Sequence, residues 1–171
     1  LRCLVGSEMC IRDSGRVVDP KNDFDKVADV LVDNGVISEI GENINADGDV
    51  TVIDAEGKIV SPGLVDMHSH LRDPGQEYKE DIESGTRSAA MGGITSIACM
   101  PNTKPVTDSE PIVTYIKTKA KEVGHVNVYP IGSISKGLEG KELAEIGELK
   151  NAGAVAISVS YTHLRAHETS Q

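Results

Sequence analysis

The stretch Val65-Asp66-Met67-His68-Ser69-His70-Leu71-Arg72-Asp73-Pro74-Gly75 follows the apolar run Ile59-Val60-Ser61-Pro62-Gly63-Leu64. This order predicts a buried strand over residues 64–71 that continues into a polar loop. Successive side chains of a strand point to opposite faces, so Asp66, His68 and His70 share one face. Two imidazoles on one face at the carboxyl end of a strand can bind a single metal ion. Zinc suits them because it accepts neutral imidazole nitrogens and leaves a position for water.

An arginine follows the histidine pair on the same face. Arg72 lies two residues beyond His70, where its guanidinium is placed to hold an anionic substrate beside the metal. A bare His-x-His pattern has low specificity, and its structural context has to support it. The context here is a strand, the paired histidines, a helix and another strand. Repetition of that order is typical of a parallel α/β fold, whose sites lie at the carboxyl ends of the strands.

Strands and helices alternate strictly after residue 62. The predicted strands cover residues 64–71, 94–101, 126–134 and 154–158, and the predicted helices cover residues 78–91, 108–123 and 143–152. Four strands and three helices make the first half of a (β/α)8 barrel of the TIM type. A four-stranded open α/β sheet is the alternative, because a half barrel leaves two edge strands unpaired.

The preceding segment has a β pattern without helices. Short β-branched runs cover residues 26–32, 36–40, 50–54 and 58–60. Asn34-Gly35 joins the first two runs and is the strongest short hairpin signal. Short antiparallel strands of this kind predict a small sheet that is separate from the barrel.

Composition excludes several classes of function. The formal net charge of -10 argues against nucleic acid or an anionic membrane as a partner. No apolar run approaches the roughly 20 residues that span a bilayer, and no signal-peptide pattern opens the chain. Cys3, Cys10 and Cys99 lack zinc-finger spacing, so a reducing, cytoplasmic setting is the simplest expectation.

The chain resembles the class I dihydroorotases of the amidohydrolase superfamily. Two motifs carry the resemblance, His68-Ser69-His70-Leu71-Arg72-Asp73-Pro74-Gly75 and Met100-Pro101-Asn102-Thr103. It extends over residues 15–158 and implies a barrel that carries a small β-sandwich domain. It also implies that His68 and His70 are the first pair of zinc ligands, in a site of one or two ions. Arg72 and Asn102 match residues that bind the carboxylate of the substrate.

The activity that the resemblance implies is that of a metal-dependent cyclic amidase. Such an enzyme reversibly hydrolyses dihydroorotate to N-carbamoyl-L-aspartate in pyrimidine biosynthesis. Asp66 either orients a histidine or serves as a buried structural carboxylate. Allantoinase and dihydropyrimidinase-type hydantoinase are alternatives, and so is a non-catalytic, dihydroorotase-like scaffold that supports aspartate transcarbamoylase. For an intact protein we expect a small-molecule substrate, with a homo-oligomer or a transcarbamoylase association as further expectations.

The chain also departs from the family. The fourth family strand ends in a pair of aspartates, whereas Val159-Ser160-Tyr161 stands here. The general base and the later histidine ligands belong to strands beyond this sequence, so no catalytic residue is assigned, and we expect a truncated, inactive chain. The predicted domains are a β-sandwich portion over residues 15–60 and half a barrel over residues 61–158.

Both ends look foreign to the family. Residues 1–14 and 159–171 resemble translated sequencing-adapter peptides, and we expect them to add little to stability. His163 and His167 have the spacing of paired helical zinc ligands, but Glu168 follows the second histidine. The metalloprotease pattern places its glutamate next to the first histidine, so we expect no metal site in this tail.

Overall fold

The structure, a computed structural model, describes residues 9–45 and 48–158 and divides into two compact units between Pro62 and Gly63. The predictions for residues 1–8 and 159–171, including Val159-Ser160-Tyr161 and the His163/His167 pair, fall outside the described residues. Among the helices that are described, none is long and apolar enough to cross a membrane.

The first unit is a five-stranded sheet. Its strands are β1 (Met9–Asp19), β2 (Phe24–Asp33), β3 (Val36–Gly41), β4 (Val50–Asp54) and β5 (Ile59–Val60). The order is β3-β2-β1-β4, and β5 also pairs with β1. The hairpin at Asn34-Gly35 is confirmed, since both residues have positive φ, 49° and 76°. The expectation of purely antiparallel strands is wrong, because β4 and β5 both run parallel to the central strand β1.

Strand β1 begins earlier than the predicted small domain. Cys10 is fully buried in the cluster formed with Val17, Ala28, Val30 and Val32. The expectation that residues before about Ser14 pack little is therefore wrong from Met9 onward. Cys10 and Ile11 are apolar residues on a strand that pairs on both sides, so they are buried whatever their origin. A foreign origin for residues 9–14 stays a prediction.

The second unit is a curled half of an α/β barrel, as predicted. Its strands are β6 (Leu64–Ser69), β7 (Ile94–Cys99), β8 (Asn127–Ser133) and β9 (Ala156–Ser158), and its helices are α1 (Ile82–Met91), α2 (Glu110–Val123) and α3 (Ile146–Ala152). The four strands are parallel and pair in chain order. Parallel neighbours joined by helices bring the carboxyl ends of all four strands to one edge of the sheet.

Helix α1 begins four residues later than its apolar pattern predicts. Asp81 is the N-cap, and its carboxylate accepts a hydrogen bond from the Ser84 N–H at 2.7 Å. The Ser84 hydroxyl accepts from the Asp81 N–H in return. This capping box fixes the first helical residue as Ile82 and leaves residues 78–80 to the preceding loop.

An apolar layer lies between the sheet and its helices. It is formed by Leu71, Ile82, Ala89, Ile97, Cys99 and Ile116. Burial raises the pKa of the Cys99 thiol to about 12. The two outer strands of this sheet each have one strand partner: within the described residues β6 pairs only with β7 and β9 only with β8. Met67 on β6 is 77% exposed, so the expectation of a buried strand is wrong at this position.

Candidate metal and anion site

Two loops meet at the carboxyl ends of β6 and β7. We call residues 70–80 the histidine loop and residues 100–108 the asparagine loop. The Met100 N–H donates to the carbonyl of Ser69 at 2.8 Å, and the Lys104 N–H donates to the carbonyl of Pro74 at 2.8 Å. These main-chain bonds hold the two loops side by side independently of any ligand.

Gly75 permits a close approach between the main chains of these loops. Its φ is +88°, and a Cβ placed there would lie 1.7 Å from the carbonyl oxygen of Lys104. A side chain is excluded by both the positive φ and this contact.

The two histidines lie together at the end of β6. The ring centroids of His68 and His70 are 5.2 Å apart, with an angle of 63° between the ring planes. A tetrahedral ion about 2.1 Å from one nitrogen of each ring would hold the centroids roughly 5 Å apart, so the pair fits a shared ion. The described residues contain no group of three or more histidine, cysteine and carboxylate side chains suited to a metal. Two imidazoles are fewer than the three protein ligands that catalytic zinc normally has.

Asn102 reaches the histidine pair from the asparagine loop. Its Oδ1 lies 2.7 Å from Nδ1 of His70. The residue is only 8% exposed, and its buried Nδ2 has no hydrogen-bond partner within the described part of the chain. A buried donor left unpaired costs about 1–3 kcal/mol. The free amide hydrogens therefore mark a place for an acceptor that a ligand would supply.

Arg72 offers a second anion-binding group. It has a left-handed φ of +61° in the histidine loop, two residues past His70. Its side chain is half-buried, and over residues 9–45 and 48–158 its guanidinium forms no ion pair with a carboxylate. The charge is thus available to a ligand.

Asp66 contacts the main chain around the histidines. Its carboxylate accepts hydrogen bonds from the Ser69 hydroxyl and from the His68 N–H, the latter at 3.0 Å. The bond from Ser69, followed by that from His68, lowers the pKa of Asp66. The bond from the His68 N–H fixes the backbone that carries His68, as a structural carboxylate does, and neither bond involves an imidazole nitrogen.

An ion pair between the histidine loop and helix α2 was not predicted from the sequence. Asp73 is 1% exposed, and its carboxylate lies 2.6 Å from Nζ of Lys119 and accepts from the Tyr115 hydroxyl at 3.0 Å. This hydrogen-bonded pairing with Asp73 raises the pKa of Lys119. Tyr115 and Lys119 are four residues apart and so share a face of α2. Nothing in the sequence connects that face with an aspartate 42 residues before Tyr115.

The chain is similar to known proteins over most of its length. The family profile described as "Dihydro-orotase-like" matches residues 57–168. The chain is 66% identical over 145 residues to a dihydroorotase of Acetivibrio thermocellus, covering 84% of this chain and 34% of that protein. It is 62% identical over 145 residues to a dihydroorotase of Ruminiclostridium cellulolyticum, covering 85% and 34%.

Solved structures of hydantoinases share the fold. The L-hydantoinase (dihydropyrimidinase) of Arthrobacter aurescens is 32% identical with a TM-score of 0.74, over 86% of this chain and 32% of that chain. A D-hydantoinase from a Thermus species is 28% identical with a TM-score of 0.65, over 83% and 30%. The chain thus spans about a third of the length of the curated relatives it matches.

Proposed function

Since this chain belongs to the dihydroorotase-like family, we propose that it forms part of the active site of a zinc-dependent dihydroorotase. Dihydroorotases and hydantoinases are metal-dependent cyclic amidohydrolases. The proposed reaction is the reversible hydrolysis of dihydroorotate to N-carbamoyl-L-aspartate.

The unpaired Nδ2 of Asn102 is the observation that supports this substrate. It is buried beside His70, in a loop bonded to the loop that carries Arg72. A guanidinium and an amide donor suit a carboxylate, because the planar fork of arginine matches its two oxygens. Dihydroorotate is a cyclic amide with a carboxylate on the ring, whereas dihydrouracil and hydantoin lack that group.

Each residue then has a defined task. His68 and His70 would hold the metal, which when bound would polarise the amide carbonyl and lower the pKa of a bound water. Arg72 and Asn102 orient the ring through its carboxylate. Asp66 keeps the backbone of His68 in place. We assign no general base among the described residues.

Two alternatives to a dihydroorotase are a hydantoinase and a non-catalytic scaffold. The similarity to solved hydantoinase structures favours a hydantoinase as the second candidate. A non-catalytic scaffold is disfavoured, because both His68 and His70 are present and lie together. Cytoplasmic location, a homo-oligomer and association with aspartate transcarbamoylase stay predictions.

A chimeric enzyme tests the proposal. Residues 15–158 would replace the matching segment of the Acetivibrio thermocellus dihydroorotase, and the chimera is expected to hydrolyse dihydroorotate. His68→Ala should abolish turnover. Arg72→Met should lower kcat/KM for dihydroorotate by roughly tenfold to a hundredfold, the value of a lost charged hydrogen bond, and leave turnover of dihydrouracil unchanged.

The other outcomes identify the alternatives. Preference for hydantoin or dihydrouracil over dihydroorotate would favour a hydantoinase. A folded chimera without turnover of any of these compounds would favour a scaffold. The 171-residue chain alone, assayed with added zinc, should show no turnover, because the residues described hold only part of a ligand set.

A further inference from the structure

We propose that Asn102 is a positioning residue for the metal ligand His70, in addition to its place in substrate binding. Its Oδ1 accepts a hydrogen bond from Nδ1–H of His70 and so fixes the ring in the tautomer whose Nε2 carries a lone pair. That this tautomer serves to bind a metal rests on the proposed function, whereas the presence of the tautomer at His70 does not depend on that function.

Oδ1 of Asn102 lies 2.7 Å from Nδ1 of His70. An amide oxygen has no proton, so the proton of this hydrogen bond has to reside on Nδ1. A neutral imidazole has one N–H, which leaves Nε2 as the acceptor. Metals bind the unprotonated nitrogen, and the hydrogen bond of the other nitrogen decides which one that is.

Asn102 can impose this choice because its loop is held firmly. The Thr103 hydroxyl donates to the Pro105 carbonyl at 2.7 Å and lies 2.9 Å from the hydroxyl of Thr107. Thr107 is fully buried, and its carbonyl accepts from the Ser133 N–H at the end of β8. These bonds fix the main chain that carries Asn102, so its side-chain amide is held within hydrogen-bonding distance of His70.

The two histidines differ in this respect. His68 is exposed, and among the described residues its ring contacts the ring of His70 without a hydrogen-bond partner for either nitrogen. We therefore expect a fixed tautomer at His70 and the tautomer mixture of an exposed imidazole at His68.

Asn102 also connects the metal side of the site with the substrate side. A flipped amide would place Nδ2 against Nδ1 of His70, move the ring proton to Nε2 and point Oδ1 toward the substrate carboxylate. The orientation that prepares His70 for a metal is thus the one that leaves Nδ2 free for an anion. Both ligands select the same orientation of one side chain, so each should favour binding of the other.

The tautomer can be measured on the 171-residue chain itself. Long-range ¹H–¹⁵N correlation spectra at about pH 8, above the ordinary histidine pKa of about 6.5, observe neutral rings. We expect the proton of His70 on Nδ1. His68 and His125 should show the mixture of both tautomers that a solvent-exposed imidazole has, and His125 serves as the internal reference. Nε2–H at His70, or a mixture like that of His125, would overturn the proposal.

Two variants distinguish the role of the Asn102 amide oxygen from that of its NH2 group. Asn102→Ala removes the acceptor, so His70 should change to the mixture of Nδ1–H and Nε2–H tautomers that an exposed imidazole shows. Zinc affinity, followed through the Nε2 resonance of His70, should fall about tenfold to a hundredfold. Asn102→Asp keeps an oxygen acceptor, so the Nδ1–H tautomer and the zinc affinity should both persist. An unchanged tautomer in Asn102→Ala, or its loss in Asn102→Asp, would contradict the proposal.

These readouts are independent of catalysis. A chimera that fails to hydrolyse dihydroorotate, while His70 keeps its tautomer, would contradict the proposed function and leave the role of Asn102 toward His70 intact. A chimera that turns over dihydroorotate, while His70 carries its proton on Nε2, would do the opposite.

Discussion

Gly75 lies where the main chains of the histidine loop and the asparagine loop approach each other. We expect Gly75→Ala to lower the free energy of unfolding by more than about 2 kcal/mol, because positive φ costs an L-residue about 1–2 kcal/mol and the contact with Lys104 adds to it. Gly93 has a similar φ of +78° with nothing within 4 Å of a Cβ, so Gly93→Ala should show the backbone cost alone. Urea denaturation followed by circular dichroism compares the two variants. Equal losses would show that the loop contact is unimportant.

Single residues were predictable where a motif identified them. His68, His70, Arg72 and Asn102 are recognisable because each lies in the last residues of a strand or just after it and belongs to a family motif. The contact of Asn102 with His70 was not predictable, since it depends on the position of the asparagine loop in space. Asp73 was missed for a similar reason, because its partners come from a helix that sequence patterns do not orient.

The pairing of the histidine loop with helix α2 leads to a second prediction. Lys119→Met leaves the buried carboxylate of Asp73 without its counter-charge, so we expect a loss of about 2 kcal/mol. This is less than the 3–5 kcal/mol typical of fully buried pairs, because the Lys119 side chain is 32% exposed. In Asp73→Asn/Lys119→Met the unpaired charge is gone, and part of the stability should return. Thermal unfolding of the single and double variants measures this coupling. A double variant as unstable as the sum of the single variants would contradict it.

Helices and strands of the second unit were predicted in type and order, and their ends were less predictable. Strand β6 ends at Ser69 rather than at residue 71, because the chain turns into the histidine loop. Helix α1 begins at its capping box rather than where its apolar pattern begins. In the first unit, parallel pairing of β1 with β4 depends on a connection whose path has no sequence signal.

The half barrel as a whole presents an apolar edge. Met67 is 77% exposed on β6, whose outer edge is free over the described residues, and such edges favour association between chains. We expect the chain to self-associate with rising concentration, and Met67→Lys to shift it toward the monomer. Met91→Lys is the matched control, because Met91 is 86% exposed and lies at the end of helix α1 rather than on a strand. Sedimentation velocity reports the distribution, and equal effects of both variants would exclude the edge of β6 as the contact.

The burial of Cys99 allows local unfolding of the second unit to be measured by thiol alkylation. Thiol reagents attack the thiolate, and a side chain that is 3% exposed with a pKa of about 12 offers almost none while the second unit is closed. Cys10 is fully buried in the first unit. In a variant with Cys3 replaced by serine, the alkylation rate of Cys10 reports the opening of the first unit and that of Cys99 the opening of the second. Their rates, read by mass spectrometry, would tell whether the sheet and the half barrel open together or separately.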